Sequence, residues 1–146
     1  MIISHYMTTE HRECDSLFAT AEASIAAKNW EAAEKDFLAF SNETLLHFKK
    51  EEEELFPTYE AKTGSTDGPT QVMRFEHDQV RGLIGKMADA LEKQDRDACL
   101  SLAESMMILL QQHNMKEEQM LYAMCDRVFE SALKEATVAA LKEIVL

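Results

Sequence analysis

Leu45-Leu46-His47-Phe48-Lys49-Lys50-Glu51-Glu52-Glu53-Glu54-Leu55-Phe56-Pro57 places a histidine and a carboxylate four residues apart in a stretch that reads as helix. Residues i and i+4 stand one turn apart on the same helical face, so His47 and Glu51 can point at one spot. A single pair of this kind arises easily in a Glu-rich chain. The stretch Gln112-His113-Asn114-Met115-Lys116-Glu117-Glu118-Gln119-Met120-Leu121-Tyr122 repeats the layout 66 residues later. His47 aligns with His113, Glu51 with Glu117, Glu52 with Glu118, Leu55 with Leu121 and Phe56 with Tyr122. The same offset carries Glu10-His11 onto Glu76-His77. Four of the five histidines therefore fall on one internal repeat.

The repeat lies in four amphipathic segments. The first is expected to begin near Thr8 or Thr9 and run to about Lys28, with the stripe Met7, His11, Cys14, Phe18, Ala21, Ile25. The second runs from about Trp30 to Ala61 with Ala33, Phe37, Phe40, Thr44, His47, Glu51 and Leu55, and Pro57 is expected to kink or loosen its end. Gly64-Ser65-Thr66-Asp67-Gly68-Pro69 forms the clear loop between the halves. The third runs from about Thr70 to Lys93 with Met73, His77, Val80, Ile84, Met87 and Leu91. The fourth follows a turn at Gln94-Asp95 and runs to about Met124, with Cys99, Ala103, Met106, Leu110, His113, Glu117, Met120 and Met124. A last amphipathic segment, about 127–145, carries Val128, Leu133, Ala136, Ala140, Leu141 and Ile144. The expected fold is all-α: an up-down-up-down four-helix bundle over about 5–125 with an additional C-terminal helix, one domain spanning 1–146.

The heights agree. Counted from the short turns at Lys28-Asn29 and Gln94-Asp95, all four repeat histidines stand about 25 Å up the bundle. His11, His47, His77, His113, Glu51 and Glu117 are thus expected to meet inside an apolar seam. Buried carboxylates are costly unless compensated, and a metal ion compensates them. Six such ligands can hold one ion octahedrally, or two ions that share both carboxylates. Mixed imidazole and carboxylate ligation suits Fe or Mn, and Zn less exclusively. The Glu-x-x-His pattern of ferritin-like di-iron bundles does not occur in the chain.

Composition narrows the function. The net charge is −12 with no basic stripe, which disfavours nucleic acid and anionic membrane surfaces as partners. Three scattered cysteines without a CxxC fit a reducing cytoplasm better than a disulfide framework. The opening Met1-Ile2-Ile3-Ser4-His5 has no signal-peptide pattern, and Met106-Met107-Ile108-Leu109-Leu110 is too short to span a bilayer. His5 lies off the repeat and is expected at the surface. Cys14 reads as a buried, inert thiol. Tyr6 is a candidate hydrogen-bond donor to a metal-bound ligand. Glu52 and Glu118, about 100° round the helix from Glu51 and Glu117, are expected to support the ligands or face solvent rather than bind metal.

These motifs resemble the hemerythrin-like domains of the HHE cation-binding class, over roughly residues 5–125. The resemblance rests on Glu10-His11, His47-x-x-x-Glu51 with Leu55-Phe56-Pro57, Glu76-His77, and His113-x-x-x-Glu117-Glu118 with Leu121-Tyr122. It implies a non-haem centre of two iron ions joined by an oxo or hydroxo group. His11, His47, His77 and His113 would be terminal ligands and Glu51 and Glu117 the bridges. The oxygen-carrying pattern has a fifth histidine four residues before the third-helix one, where this chain has Met73, and its last carboxylate falls at the position of Glu118. The His-x-x-x-Glu form in both halves is more similar to bacterial proteins that repair damaged iron centres, and to iron-sensing domains. The expectation is a stress-response protein that handles O2, NO or peroxide or serves an iron-centre client protein. An iron- or oxygen-responsive interaction module, an O2 store, or a zinc-stabilised bundle are the other readings.

Overall fold

The computed structural model describes residues 2–146, and Met1 lies outside the described residues. The chain is all-α. Helix α1 spans Ile2–Ala26 and α2 spans Trp30–Lys50; α2 continues through a π-turn at Glu51–Leu55 into α3, Phe56–Thr63. Helix α4 spans Pro69–Glu92. Helix α5, Arg96–Lys116, continues through a second π-turn at Glu117–Leu121 into α6, Tyr122–Val128. Helix α7 spans Ser131–Glu143. Helices α1, α2, α4 and α5 form an antiparallel ring in which each packs on its two neighbours, and α7 lies against α1 and the first π-turn.

The two tight turns are built alike. Lys28 and Gln94, 66 residues apart, both take a left-handed conformation, with φ of 59° and 53°. Each helix end is closed by the same bond pair: Lys28 N to Ile25 O and Asn29 N to Ser24 O, and Gln94 N to Leu91 O and Asp95 N to Ala90 O. The next helix is then capped by a side chain. Asn29 accepts from Ala32 N at 3.4 Å, and Asp95 from Ala98 N at 3.1 Å. The long connection starts at Gly64, whose φ of 73° is a left-handed helix stop.

Helix α1 begins at Ile2, six or seven residues earlier than its threonines suggest. The cap comes from another helix: Asp126 accepts from Ile3 N at 2.9 Å and Ser4 N at 3.0 Å. A cap supplied across 122 or more residues leaves no local signal. The last helix starts at Ser131 rather than near Arg127, because Phe129 turns extended (ψ 131°) and buries its ring. Its inner face is Thr137, Val138 and Leu141, while Ala136 is exposed.

Two apolar clusters flank the histidine level. One lies toward the short turns and contains Phe18, Ile25, Phe37, Phe40, Phe48, Val80, Met87 and Met106. The other lies beyond the π-turns and contains Ile3, Met7, Leu55, Phe56, Met73, Leu121, Tyr122 and Leu141. The π-turns join the second cluster to the site. In an α-helix, residue i+5 points about 140° away from residue i. Where the turn closes from i to i+5, residue i+5 comes back over residue i. Phe56 N bonds Glu51 O and Tyr122 N bonds Glu117 O in this manner. Phe56 and Tyr122 are thereby fully buried, and Met120, expected in the seam by α-helical spacing, is 58% exposed instead. Pro57 is the second residue after the first π-turn and sits in the first turn of α3, so the irregularity at this helix end is an added residue rather than a loosened last turn.

Candidate metal centre

The structure brings His11, His47, His77, His113, Glu51 and Glu117 together, each at most 4% exposed. Each comes from a helix whose stripe is otherwise apolar, so packing the seams drives the six polar groups into one layer. All four imidazoles are oriented alike. His11 Nδ1 faces Glu118 at 2.7 Å, His47 Nδ1 faces Glu10 at 2.8 Å, His77 Nδ1 faces Glu52 at 2.7 Å, and His113 Nδ1 faces Glu76 at 2.8 Å. An Nδ1–H that donates outward to a carboxylate leaves Nε2 as the lone pair facing inward, the arrangement that suits a metal ligand.

Each outer carboxylate is held in turn by a cation. Lys50 donates to Glu10, Lys116 to Glu76, Arg81 to Glu52 at 2.7 Å and Arg12 to Glu118 at 2.7 Å. The first two pairs obey the 66-residue offset. The other two swap roles: Arg12 pairs with Asp15 in one half, and Asp78 with Arg81 at the matching positions in the other. Burial opposes the charge on Glu10 and Glu52, but His47 and Lys50 outweigh it at Glu10, and His77 and Arg81 at Glu52, holding both carboxyls at about 2.

The inner atoms fall into two overlapping groups. Glu51, His77, His113 and Glu117 offer ligand atoms within 4.8 Å of one another, and so do His11, His47 and Glu117. Glu117 serves both: Oε1 lies 3.0 Å from His11 Nε2, and Oε2 lies 3.2 Å from His113 Nε2. Glu51 Oε1 lies between the groups, 3.3 Å from His47 Nε2 and 3.2 Å from His77 Nε2. Yet Glu51 Oε1, Glu117 Oε2, His77 Nε2 and His113 Nε2 make no hydrogen bond, although they are fully buried. They are close but misaligned for bonding to each other. Such orphaned atoms cost about 1–3 kcal/mol each. Two ligands bound about 2.1 Å from an ion at right angles are about 3.0 Å apart. The observed spacings match that edge, so the donor set fits a metal ion.

Without an ion the layer is held by shared protons. Burial disfavours the charged imidazoles, but Glu51, Glu10 and Glu117 push His47 well up, and Glu117, Glu51 and Glu52 push His77 up to about 10. Burial, with the charge of Glu117, raises Glu51; burial also opposes ionisation of Glu117, but His113, His11 and His47 hold it well below the carboxylate range.

Tyr122 is the site residue that sequence spacing misses. Its hydroxyl lies 2.7 Å from Glu51 Oε2, 2.9 Å from Glu117 Oε1, 3.1 Å from His11 Nε2 and 3.2 Å from His47 Nε2. Its sequence mate Phe56 is apolar and lies over the His77 ring, centroids 5.6 Å apart. Tyr6, the hydroxyl expected here, instead accepts from Lys50 Nζ at 2.8 Å, outside the layer. His5 is exposed, as expected. Cys14 is half-buried rather than sealed in the seam, and burial raises its thiol.

An antiparallel bundle that gathers histidines and two shared carboxylates at one level defines a cation-binding helical protein. The model of the hemerythrin HHE cation-binding domain matches residues 2–125, and the chain belongs to that family. The match ends before α7. Searches for similar curated proteins and for similar solved structures gave no match. No described helix is long and apolar enough to cross a membrane.

Proposed function

We propose that the protein holds a pair of non-haem iron ions and handles a small oxidant or diatomic ligand in oxidative or nitrosative stress, either directly or in repair of a client's iron centre. The observation that carries this reading is the sharing of carboxylates. Glu117 turns one oxygen to the His11–His47 side and the other to the His77–His113 side, while Glu51 Oε1 stands between His47 and His77. His77 and His113 would hold one ion, His11 and His47 the other, with Glu51 and Glu117 shared by both. Iron bound there supplies electron exchange and a ligand position for O2, NO or peroxide.

The chain's own residues do the rest. Glu10, Glu52, Glu76 and Glu118 hold each ring through Nδ1, so that Nε2 is turned to the centre and is the nitrogen that would give up its proton to an ion. Phe48 stacks on His77 at 3.8 Å between centroids and, with the apolar layers above and below, excludes water. The absence of charge-neutralising lysines among the six inner groups leaves two carboxylates to balance the cations. The acidic surface and the three free thiols are consistent with a cytoplasmic protein that avoids nucleic acid and anionic membranes.

Elemental analysis and an absorption spectrum of protein from iron-replete cells test this reading. About two irons per chain with a near-ultraviolet oxo-bridge band support it, and exposure to NO, O2 and peroxide then ranks the ligands. Zinc alone, one ion or fewer per chain, or unchanged metal content in His47→Ala and His113→Ala proteins overturns it.

A further inference from the structure

The internal repeat makes the two halves of the centre nearly equivalent, and one pair of residues breaks the equivalence at the centre itself. Five residues after Glu51 stands Phe56; five residues after Glu117 stands Tyr122. Both are turned inward by a π-turn and both are fully buried. Only the second brings an oxygen.

That oxygen occupies a particular place. It touches His11 Nε2, His47 Nε2, Glu117 Oε1 and Glu51 Oε2 at 2.7–3.2 Å. Three of these belong to the His11–His47–Glu117 group, and the fourth is the second oxygen of Glu51. The separations bracket the edge of a coordination octahedron, about 3.0 Å. A single hydroxyl has one proton and cannot satisfy four such neighbours at once. The atoms of the other side show the complementary pattern, since His77 Nε2, His113 Nε2, Glu51 Oε1 and Glu117 Oε2 lack any hydrogen-bond partner.

We propose that the Tyr122 phenolate oxygen is a ligand of the ion on the His11–His47 side, so that this ion has an anionic oxygen donor that the ion on the His77–His113 side, faced by Phe56, does not. The proposal rests on the di-iron reading above. On ligation the phenol O–H bond breaks, the oxygen donates its electron pair to the ion, and one proton per chain leaves to solvent; no electron is transferred. The consequence is a chemically lopsided pair. The His77–His113 side binds first, into atoms that have no other partner. The His11–His47 side binds second, after the hydroxyl's hydrogen bonds are given up.

The test is resonance Raman spectroscopy with visible excitation, on wild-type, Tyr122→Phe, Tyr59→Phe and Tyr6→Phe proteins loaded with ferrous iron and oxidised in air, with iron content measured on each sample. The expected result is enhanced phenolate ring modes and a visible charge-transfer band in the wild type. Both persist in Tyr59→Phe and Tyr6→Phe and are lost in Tyr122→Phe, whose second iron binds at least tenfold more weakly while the first is retained. Wild-type protein that holds two irons without phenolate modes overturns the ligand assignment and leaves the di-iron reading standing. Protein that holds no iron overturns both. If Tyr122→Phe does not fold, the wild-type spectrum decides the matter, because phenolate modes that survive in both other variants can come only from the third tyrosine, and their absence refutes the assignment.

Discussion

At the scale of single residues, the outer carboxylates decide how well the inner rings can bind. Glu52 aligns His77 and is itself held by Arg81; Glu118 does the same for His11 with Arg12. Removing one carboxylate charge while keeping its shape weakens the fixed tautomer and the basicity of the ring it supports. Glu52→Gln is therefore expected to lower metal affinity about 10–100-fold, measured by competition with a chelator of known strength, with the helical content unchanged. The six inner residues were legible in the sequence because a 66-residue offset and α-helical spacing place them on one level. The outer shell was half-legible: Glu10 and Glu76 appear in the motif, but their reach to His47 and His113 on the neighbouring helix does not follow from spacing within one helix. Tyr122 was hidden for a different reason. In an unbroken α-helix it would face away from Glu117, and only the paired apolar residues Leu55-Phe56 and Leu121-Tyr122 hint that both i+4 and i+5 are buried.

At the scale of elements, the helix ends carry the measurable stability. Asp126 supplies the cap of α1 from the far end of the bundle. Asp126→Ala is expected to destabilise the protein by about 0.5–2 kcal/mol, read as a lower urea midpoint, because the buried Ile3 N–H loses its partner. Asp126→Asn, which keeps an acceptor, is expected to recover part of that loss. The turns at Lys28 and Gln94 offer the opposite case. Each holds a side-chain-bearing residue at positive φ, a conformation that costs about 1 kcal/mol outside glycine. Lys28→Gly and Gln94→Gly are each expected to raise the urea midpoint, by roughly 0.5–1 kcal/mol in stability. Local sequence could place these turns, since Asn29 and Asp95 are strong helix-start residues. It could not place the start of α1, whose cap is supplied through tertiary contact, nor the π-turns, which add no residue type of their own to the pattern.

At the scale of the whole molecule, the metal-free protein is a bundle whose middle layer is ionic. His77, raised to about 10, stabilises the fold fully below its unfolded value near 6.5, and that contribution is lost as pH climbs toward 10. Glu10 and Glu52, lowered to about 2, stabilise above about 4.5 and lose that contribution as pH falls toward 2. Thermal melts of metal-free protein are thus expected to peak between about pH 4.5 and 6.5. Metal binding replaces protons on the histidines, so the loaded protein should shift its maximum to higher pH, and stripping the metal should shift it back. Helix α7 adds a consequence of its own. It leans on α1 and the first π-turn, and Lys142 sits over the Tyr6 ring that shelters Lys50. Among the described residues the second half has no such neighbour: the Lys50 side chain is 9% exposed, and that of its mate Lys116 is 46% exposed. The molecule consequently carries its own control experiment, two near-copies of one hairpin that differ in shelter. Native-state hydrogen exchange is expected to run faster in peptides covering 110–116 than in those covering 44–50, since the α4–α5 flank is the one whose outer cation stands open to solvent.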